Sequence, residues 1–100
     1  MKQHRPLSTR QEKAAENDLF AAILSLETIA ELRAFFVDLC TPAELEAITD
    51  RWSVIPALLE GVPYREISQK TGVSVTTIGR VARCLTHGSG GYQIAIERKK

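Results

Sequence analysis

A glycine that separates two short stretches of helical periodicity constrains the fold of this chain more than any other feature. Residues 64–71 have the composition of a short helix, and Gly72 can adopt the left-handed backbone conformation that a tight turn requires. Ser74 can then cap a second helix over residues 75–86. The apolar positions that can pack together are Ile67, Val73, Ile78, Val81, Ala82 and Leu85. The pattern predicts helix, tight turn and helix between residues 64 and 86.

The chain before residue 41 has the periodicity of two amphipathic helices. They are predicted over residues 9–24 and from Glu27 or Thr28 to about residue 39, because apolar residues recur there at spacings of three and four. Two adjacent aromatic residues, Phe35 and Phe36, predict that the second helix is heavily buried.

The sequence Thr41-Pro42-Ala43-Glu44 is typical of the start of a third helix. The threonine can cap the helix, the proline fits its first position, and the glutamate can complete a capping box. The helix is predicted to run to Gly61, with a kink or break near residues 52–55, because Pro56 lacks a backbone N–H. Its predicted inner face consists of Leu45, Ile48, Trp52, Ile55, Leu58 and Leu59.

No stretch alternates between apolar and polar residues with a period of two, so the sequence predicts an all-α helical bundle. The length of 100 residues fits one domain over residues 10–100, preceded by a flexible polar arm at residues 1–9. A chain this short buries a limited core and would gain stability by sharing a core with a second copy. A homodimer is therefore expected.

The charge of the chain is informative through its distribution. The net charge of +1, from 13 Lys and Arg against 12 Asp and Glu, does not by itself indicate a nucleic-acid partner. Between residues 65 and 83, however, Glu66 is the only acidic residue, and the basic residues are Arg65, Lys70, Arg80 and Arg83. The helix-turn-helix segment is therefore expected to present a basic surface.

A helix-turn-helix segment with such a surface favours double-stranded DNA as a partner, with its second helix in the major groove. Val75 could contact a thymine methyl, Thr76 could hydrogen-bond a base edge, and Gly79 would permit close approach. Ser74 lies at the same leading end of the helix. Arg65, Lys70, Arg80 and Arg83 are suited to phosphates. The alternative is a pair of packed helices whose charged face binds nothing.

Other classes of function find little support in the sequence. His4 and His87 have no acid and nucleophile at a recognisable spacing, so no catalysis is predicted. Cys40 and Cys84 follow no metal-ligand spacing, so we expect reduced thiols in or near the core, without a metal or cofactor. The chain has neither an apolar run that could span a membrane nor a secretion signal, so a cytoplasmic location without a membrane partner is expected.

The order of these elements resembles the tryptophan repressor family, especially its branch of small repressor-like proteins. The resemblance covers roughly residues 12–97 and is sharpest in TPAELEAITDR (41–51) and LLEGVPYREISQKTGVSVTTIGR (58–80). It implies an interlocked homodimer that reads an operator of approximate two-fold symmetry, with reading heads about one turn of DNA apart. It also implies a hinge at residues 88–91 and a last helix over residues 92–99, with Ile94 and Ile96 as core contacts.

The same resemblance implies an effector site. In the tryptophan-binding members two arginines enclose the ring of the effector; Arg51 and Arg80 match these arginines, and Thr41 and Thr77 match two threonines beside them. Four positions depart from the family pattern: Cys84 replaces a ligand-binding serine, Val81 replaces a glycine, and Asp38 and Cys40 replace leucines. These changes predict that the effector is not tryptophan, and that the protein binds another small molecule or none. Arg51 could instead pair with Glu46 or Asp50.

Two further interpretations stay open from the sequence. The stretch LLEGVPYREISQKTGVSVTTI (58–78) also resembles the promoter-reading segment of sigma factors, which bind RNA polymerase. A protein-interaction module without DNA is the other. The predicted helices before residue 40 and after residue 91 favour the repressor-like interpretation. It requires that Gly72 lie outside any helix and that the Val75 end of the second helix be exposed.

Overall fold

A computed structural model describes residues 7–100, and all of the regular secondary structure in that range is helical, which confirms the all-α prediction. The helices are α1 (Thr9–Leu24), α2 (Ile29–Leu39), α3 (Pro42–Ser53), α4 (Ile55–Leu59), α5 (Tyr64–Thr71), α6 (Val75–His87) and α7 (Gly91–Lys99). The chain divides into two compact units, an N-terminal unit that ends at Thr41 and a C-terminal unit that begins at Pro42. Most of the predicted arm, residues 1–6, lies outside the described residues.

Local side-chain caps define where the helices of the N-terminal unit begin. The Ser8 hydroxyl accepts a hydrogen bond from the Gln11 backbone N–H at 3.1 Å, and the Gln11 side chain accepts one from the Ser8 N–H at 2.9 Å. These two bonds form a capping box before α1. Thr28 caps α2 through the Glu31 N–H at 3.0 Å. The predicted starts of both helices are confirmed.

The N-terminal unit does not bury its apolar stripe. No described side chain of α1 or α2 is buried. Phe35 and Phe36 are only half-buried and contact each other edge to face, with 5.9 Å between ring centroids. The prediction of a heavily buried second helix is therefore wrong for the single chain. Two helices have one seam between them, and a stripe wider than that seam has no second layer within the unit to cover it.

The C-terminal unit encloses an aliphatic core. The helical conformation is interrupted at Val54, between α3 and α4. This interruption was predicted from Pro56, which lies in the first turn of α4. The core consists of Val54, Ile55, Ile67, Val73, Ile78 and Val81, each at most 3% exposed. Partly buried residues surround it, and they are Ala57, Leu58, Val62, Leu85, Tyr92 and Ile96.

Three residues that the unbroken stripe of the third helix placed on its inner face are exposed: Ile48, Trp52 and Leu59. Leu59 follows the break at Val54, so the stripe of α3 does not continue to it, whereas Ile48 and Trp52 lie within α3 and are not among the residues of the enclosed core.

The last helix is held by different residues from those predicted. Ile96 packs against the core, but Ile94 is exposed, because residues two apart on a helix point in nearly opposite directions. Tyr92 takes its place, with its ring centroid 6.3 Å from that of Trp52. The Gln93 side-chain amide donates a hydrogen bond to the Leu85 carbonyl near the end of α6.

Cys40 and Cys84 are free and half-buried, as expected for thiols near a core. Among residues 7–100, no cluster of three or more His, Cys, Asp or Glu side chains is arranged to hold a metal ion. No helix in that range is both long enough and apolar enough to cross a membrane.

Candidate nucleic-acid interface

The turn between α5 and α6 has a geometry fixed by three consecutive residues. Gly72 ends α5 with φ +79°, in the left-handed region, and its N–H donates to the Ser68 carbonyl at 2.9 Å. The Thr71 hydroxyl donates to the Ile67 carbonyl at 2.7 Å and accepts from the Val73 N–H at 3.1 Å. The Val73 side chain is buried in the core. The predicted helix, tight turn and helix are confirmed.

Ser74 and Thr77 are engaged with each other at the start of α6. The Ser74 hydroxyl accepts from the Thr77 backbone N–H at 3.1 Å and donates to the Thr77 hydroxyl oxygen at 3.0 Å. Ser74 was predicted to cap α6 and also to lie among the DNA contacts. Because its hydroxyl proton is already donated to Thr77, the main role of Ser74 in the structure is to cap α6.

The two faces of α6 differ in their environment. Ile78 and Val81 are buried, whereas Val75 is 49% exposed and Thr76 is exposed. The leading end of the helix is therefore accessible while its other face is fixed to the core. Both requirements of the DNA interpretation are met, since Gly72 lies outside a helix and the Val75 end is open.

The basic residues of the segment fall into two groups. Arg65, Arg80 and Arg83 are exposed, and none of them forms an ion pair with another residue in the described part of the chain. Lys70 pairs with Glu66 on the same helix, with 3.1 Å between Nζ and Oε2. Three arginines are therefore available to an anionic partner, and the charge of Lys70 is partly offset.

Gly79 has a neighbour that sequence reasoning missed. A Cβ atom built at position 79 would lie 3.9 Å from Cε2 of Tyr64, the first residue of α5. The aromatic ring thus lies over the second turn of α6. No sequence signal connects these two residues, because they are 15 positions apart and meet only once the turn is formed.

Three of the predicted effector residues share one side of α6. Thr77, Arg80 and Cys84 follow one another at spacings of three and four, and Cys84 is half-buried. Arg51 is half-buried in the last turn of α3, which packs against α6, and it forms no ion pair with Glu46, Asp50 or any other described residue.

Two other positions named in the effector argument lie elsewhere. Val81 is buried in the core rather than beside an open site. Thr41 belongs to the N-terminal unit.

Comparison with known proteins agrees with this geometry. The family model described as Trp repressor protein matches residues 15–100. The chain is 43% identical over 84 residues to the uncharacterized protein YerC of Bacillus subtilis strain 168, which covers 84% of this chain and 81% of that protein. The family match over residues 15–100 includes most of α1, all of α2 and all of α7. A sigma-factor-like promoter-reading segment over residues 58–78 does not explain the match in these helices.

Two solved structures are similar over nearly the whole chain. One is a Trp repressor candidate from Staphylococcus aureus, with a TM-score of 0.81 and 39% identity, covering 92% of this chain and 95% of that chain. The other is a TrpR-like protein from Eubacterium eligens ATCC 27750, with a TM-score of 0.82 and 40% identity, covering 91% and 94%. The chain therefore belongs to the Trp repressor family, whose members are DNA-binding regulators rather than enzymes.

Proposed function

We propose that this protein is a sequence-specific transcriptional repressor that acts in the cytoplasm as a homodimer. In each subunit α6 reads one half of an operator with approximate two-fold symmetry. The observation that carries the proposal is the contrast across α6, whose inner face is fixed by Ile78 and Val81 while its leading end at Val75 is open. A helix held in this way can enter the major groove without losing its own packing.

The DNA contacts divide between reading and positioning. Val75 and Thr76 face base edges, where a methyl contact and a hydroxyl hydrogen bond discriminate between base pairs. Arg65, Arg80 and Arg83 bind phosphates, which is supported by their exposure and by the absence of ion pairs in the described chain. Lys70 contributes less while it is paired with Glu66.

The N-terminal unit supports the homodimer. Its large exposed side chains include Leu24, at 86%, and Ile29, at 73%, and no described residue of α1 or α2 is buried. Phe20 and Leu24 are four positions apart and therefore share one side of α1. Exposed apolar residues that share a face are typical of an interface. A second copy offers the matching surface, because it carries the same exposed residues, and a symmetric dimer would place two reading heads on one face of DNA.

The effector of this regulator is a small molecule other than tryptophan that binds through Arg51, Thr77, Arg80 and Cys84. The proposal is based on the chemistry of position 84, because a thiol is a weak hydrogen-bonding partner for the charged amino group of an amino acid. Arg51 forms no ion pair among residues 7–100 and offers its charge to an anionic group. Titration calorimetry should show no tryptophan binding, and a micromolar dissociation constant would contradict the proposal.

The proposed function is tested by selecting bound sequences from a random pool of duplex DNA at a stated salt concentration, since phosphate contacts make affinity depend on salt. We expect a palindromic site with half-sites about one turn apart, roughly 34 Å. A double variant in which Val75 and Thr76 become Ala should lose sequence preference but keep salt-dependent binding to any duplex. Selection of no sequence, or of a site without symmetry, would contradict the proposal.

A further inference from the structure

An open groove of about 910 Å³ runs along the C-terminal unit, beside the proposed reading helix. One wall is the connection between α4 and α5, and another is the outer face of α6. Tyr64 lies on the first wall, and Gly79, Arg83 and Thr86 lie on the second. The groove therefore joins an aromatic side chain to the face of α6 that carries positive charge.

The Tyr64 ring packs against α6 in this groove, but its hydroxyl forms no hydrogen bond with any of residues 7–100. Its side chain is 42% exposed, and its ring lies against Gly79, where a Cβ atom would be in ordinary contact with Cε2 at 3.9 Å. A side chain larger than alanine at position 79 would take the space of the ring. In the described part of the chain, no hydrogen bond involves the Tyr64 hydroxyl. The ring of Tyr64 therefore contacts the protein, whereas its hydroxyl can form a hydrogen bond with a ligand.

The charges around the ring favour an anionic ligand. Arg65 follows Tyr64 directly, and Arg83 lies one turn beyond Gly79 on the same side of α6, since four residues nearly complete one helical turn. Neither arginine has an ion-pair partner among residues 7–100. Arg83 lines the same groove as Tyr64. A phenol can donate to an oxygen that a nearby arginine attracts, and a backbone phosphate of DNA presents such oxygens.

We infer that Tyr64 is a DNA-contacting residue, whose hydroxyl donates a hydrogen bond to a backbone phosphate beside each half-site. The absence of a side chain at Gly79 leaves room for the ring, which can then place its hydroxyl against the phosphate. The inference rests on the proposed function and extends it. In the sequence-based interpretation Gly79 only lets the helix approach DNA, whereas here its lack of a side chain leaves room for Tyr64.

The test compares Tyr64→Phe with the unmodified dimer, on the selected operator and on random duplex at several salt concentrations. Loss of a hydrogen bond to a charged group should weaken binding about tenfold or more. The loss should be similar on both duplexes, because a phosphate contact carries no sequence information. The salt dependence should stay unchanged, since tyrosine carries no charge, whereas Arg83→Ala should reduce its slope by about 0.9 for each phosphate that is no longer neutralised.

Two further comparisons isolate the geometry. Tyr92→Phe removes a hydroxyl from the other tyrosine, which contacts Trp52 away from Gly79, and should bind DNA like the unmodified protein. Gly79→Leu should displace the Tyr64 ring, because a Cβ atom at position 79 already lies 3.9 Å from Cε2 of that ring. Tyr64→Phe should then cost nothing further in the Gly79→Leu background, because a displaced hydroxyl no longer reaches the phosphate.

The outcomes separate this inference from the function on which it rests. If the unmodified protein binds DNA and Tyr64→Phe matches it, the Tyr64 contact is wrong and the proposed function stands. A loss confined to one base pair of the operator would also overturn the phosphate contact. Absence of salt-dependent DNA binding by the unmodified protein would remove the proposed function itself.

Discussion

The two units of this chain leave very different surfaces uncovered. The C-terminal unit encloses a core of almost completely buried aliphatic residues, among them Ile55, Ile67 and Ile78. The N-terminal unit buries none of its described residues, and it exposes large apolar side chains, namely Leu7, Phe20, Leu24, Ile29, Val37 and Leu39. The C-terminal unit therefore contains its own core, whereas the N-terminal unit encloses none among its described residues.

The chemistry of each surface indicates a different partner. The exposed part of the helix-turn-helix carries arginines and hydroxyl groups around a rigid core, which suits an anionic polymer. The N-terminal unit exposes several large apolar side chains, which suit another apolar surface excluded from water. The proposed dimeric regulator would need both kinds of surface, and the chain carries them in different units.

The largest effect is expected from Ile78→Ala, which removes most of a fully buried side chain from the core of the C-terminal unit. The free energy of unfolding should fall by roughly 2–5 kcal/mol, because the cavity cannot close completely. Urea unfolding at a fixed protein concentration measures it, since the stability of a dimer depends on concentration. Ile23→Ala, at a half-buried position of α1, should cost less. Equal losses would mean that a partner subunit buries Ile23 as fully as the core of the C-terminal unit buries Ile78.

Leu24→Ala tests whether a second copy covers the N-terminal unit. Leu24 is the most exposed of the large apolar residues, so in an isolated chain its truncation should change stability by less than about 0.5 kcal/mol. If a partner subunit covers it, the loss should be about 1.5–3 kcal/mol per subunit, and the dimer should dissociate at a higher concentration. We expect the larger loss, by urea unfolding at two concentrations and by sedimentation.

The matched control for Leu24→Ala is Val75→Ala, which also truncates an exposed aliphatic residue but on the proposed DNA surface. It should leave dimer stability unchanged and alter DNA binding. A dimer equally insensitive to both substitutions would show that the apolar surface of α1 is not the interface.

Gly72→Ala tests the turn between α5 and α6. An added Cβ would meet no atom within 4 Å, so the cost should come from the backbone at φ +79° alone, about 1–2 kcal/mol. Gly61→Ala is the matched control, because Gly61 has the same φ and the same open surroundings. The two variants should lose similar stability in thermal or urea unfolding. Only Gly72→Ala should weaken DNA binding, because only that glycine joins α5 to α6.

The features that the sequence predicted correctly depend on residues close together along the chain. Ser74 caps α6, Gly72 ends α5, and Pro56 interrupts the helix before it, each through groups within about four positions. Burial was predicted less well, because it depends on which element packs over a face. Ile94 was expected in the core from the family resemblance and is exposed, and the Tyr64 ring meets Gly79 only through the tertiary fold.

The smallest change in stability is expected from Glu66→Gln, which separates the charge of the DNA surface from its folding. The Glu66–Lys70 pair is exposed on both sides and spaced i,i+4, so its removal should change the free energy of unfolding by less than about 0.5 kcal/mol. DNA binding should nevertheless strengthen severalfold at low salt, because the substitution removes a negative charge and frees Lys70 for a phosphate. Its salt dependence should also steepen.

Glu97→Gln, which breaks a comparable exposed pair with Lys100 at the end of α7, is the control and should strengthen DNA binding less. If both substitutions raised affinity equally, net charge rather than the position of Lys70 would govern binding, and the cationic surface could not be assigned to the helix-turn-helix in particular.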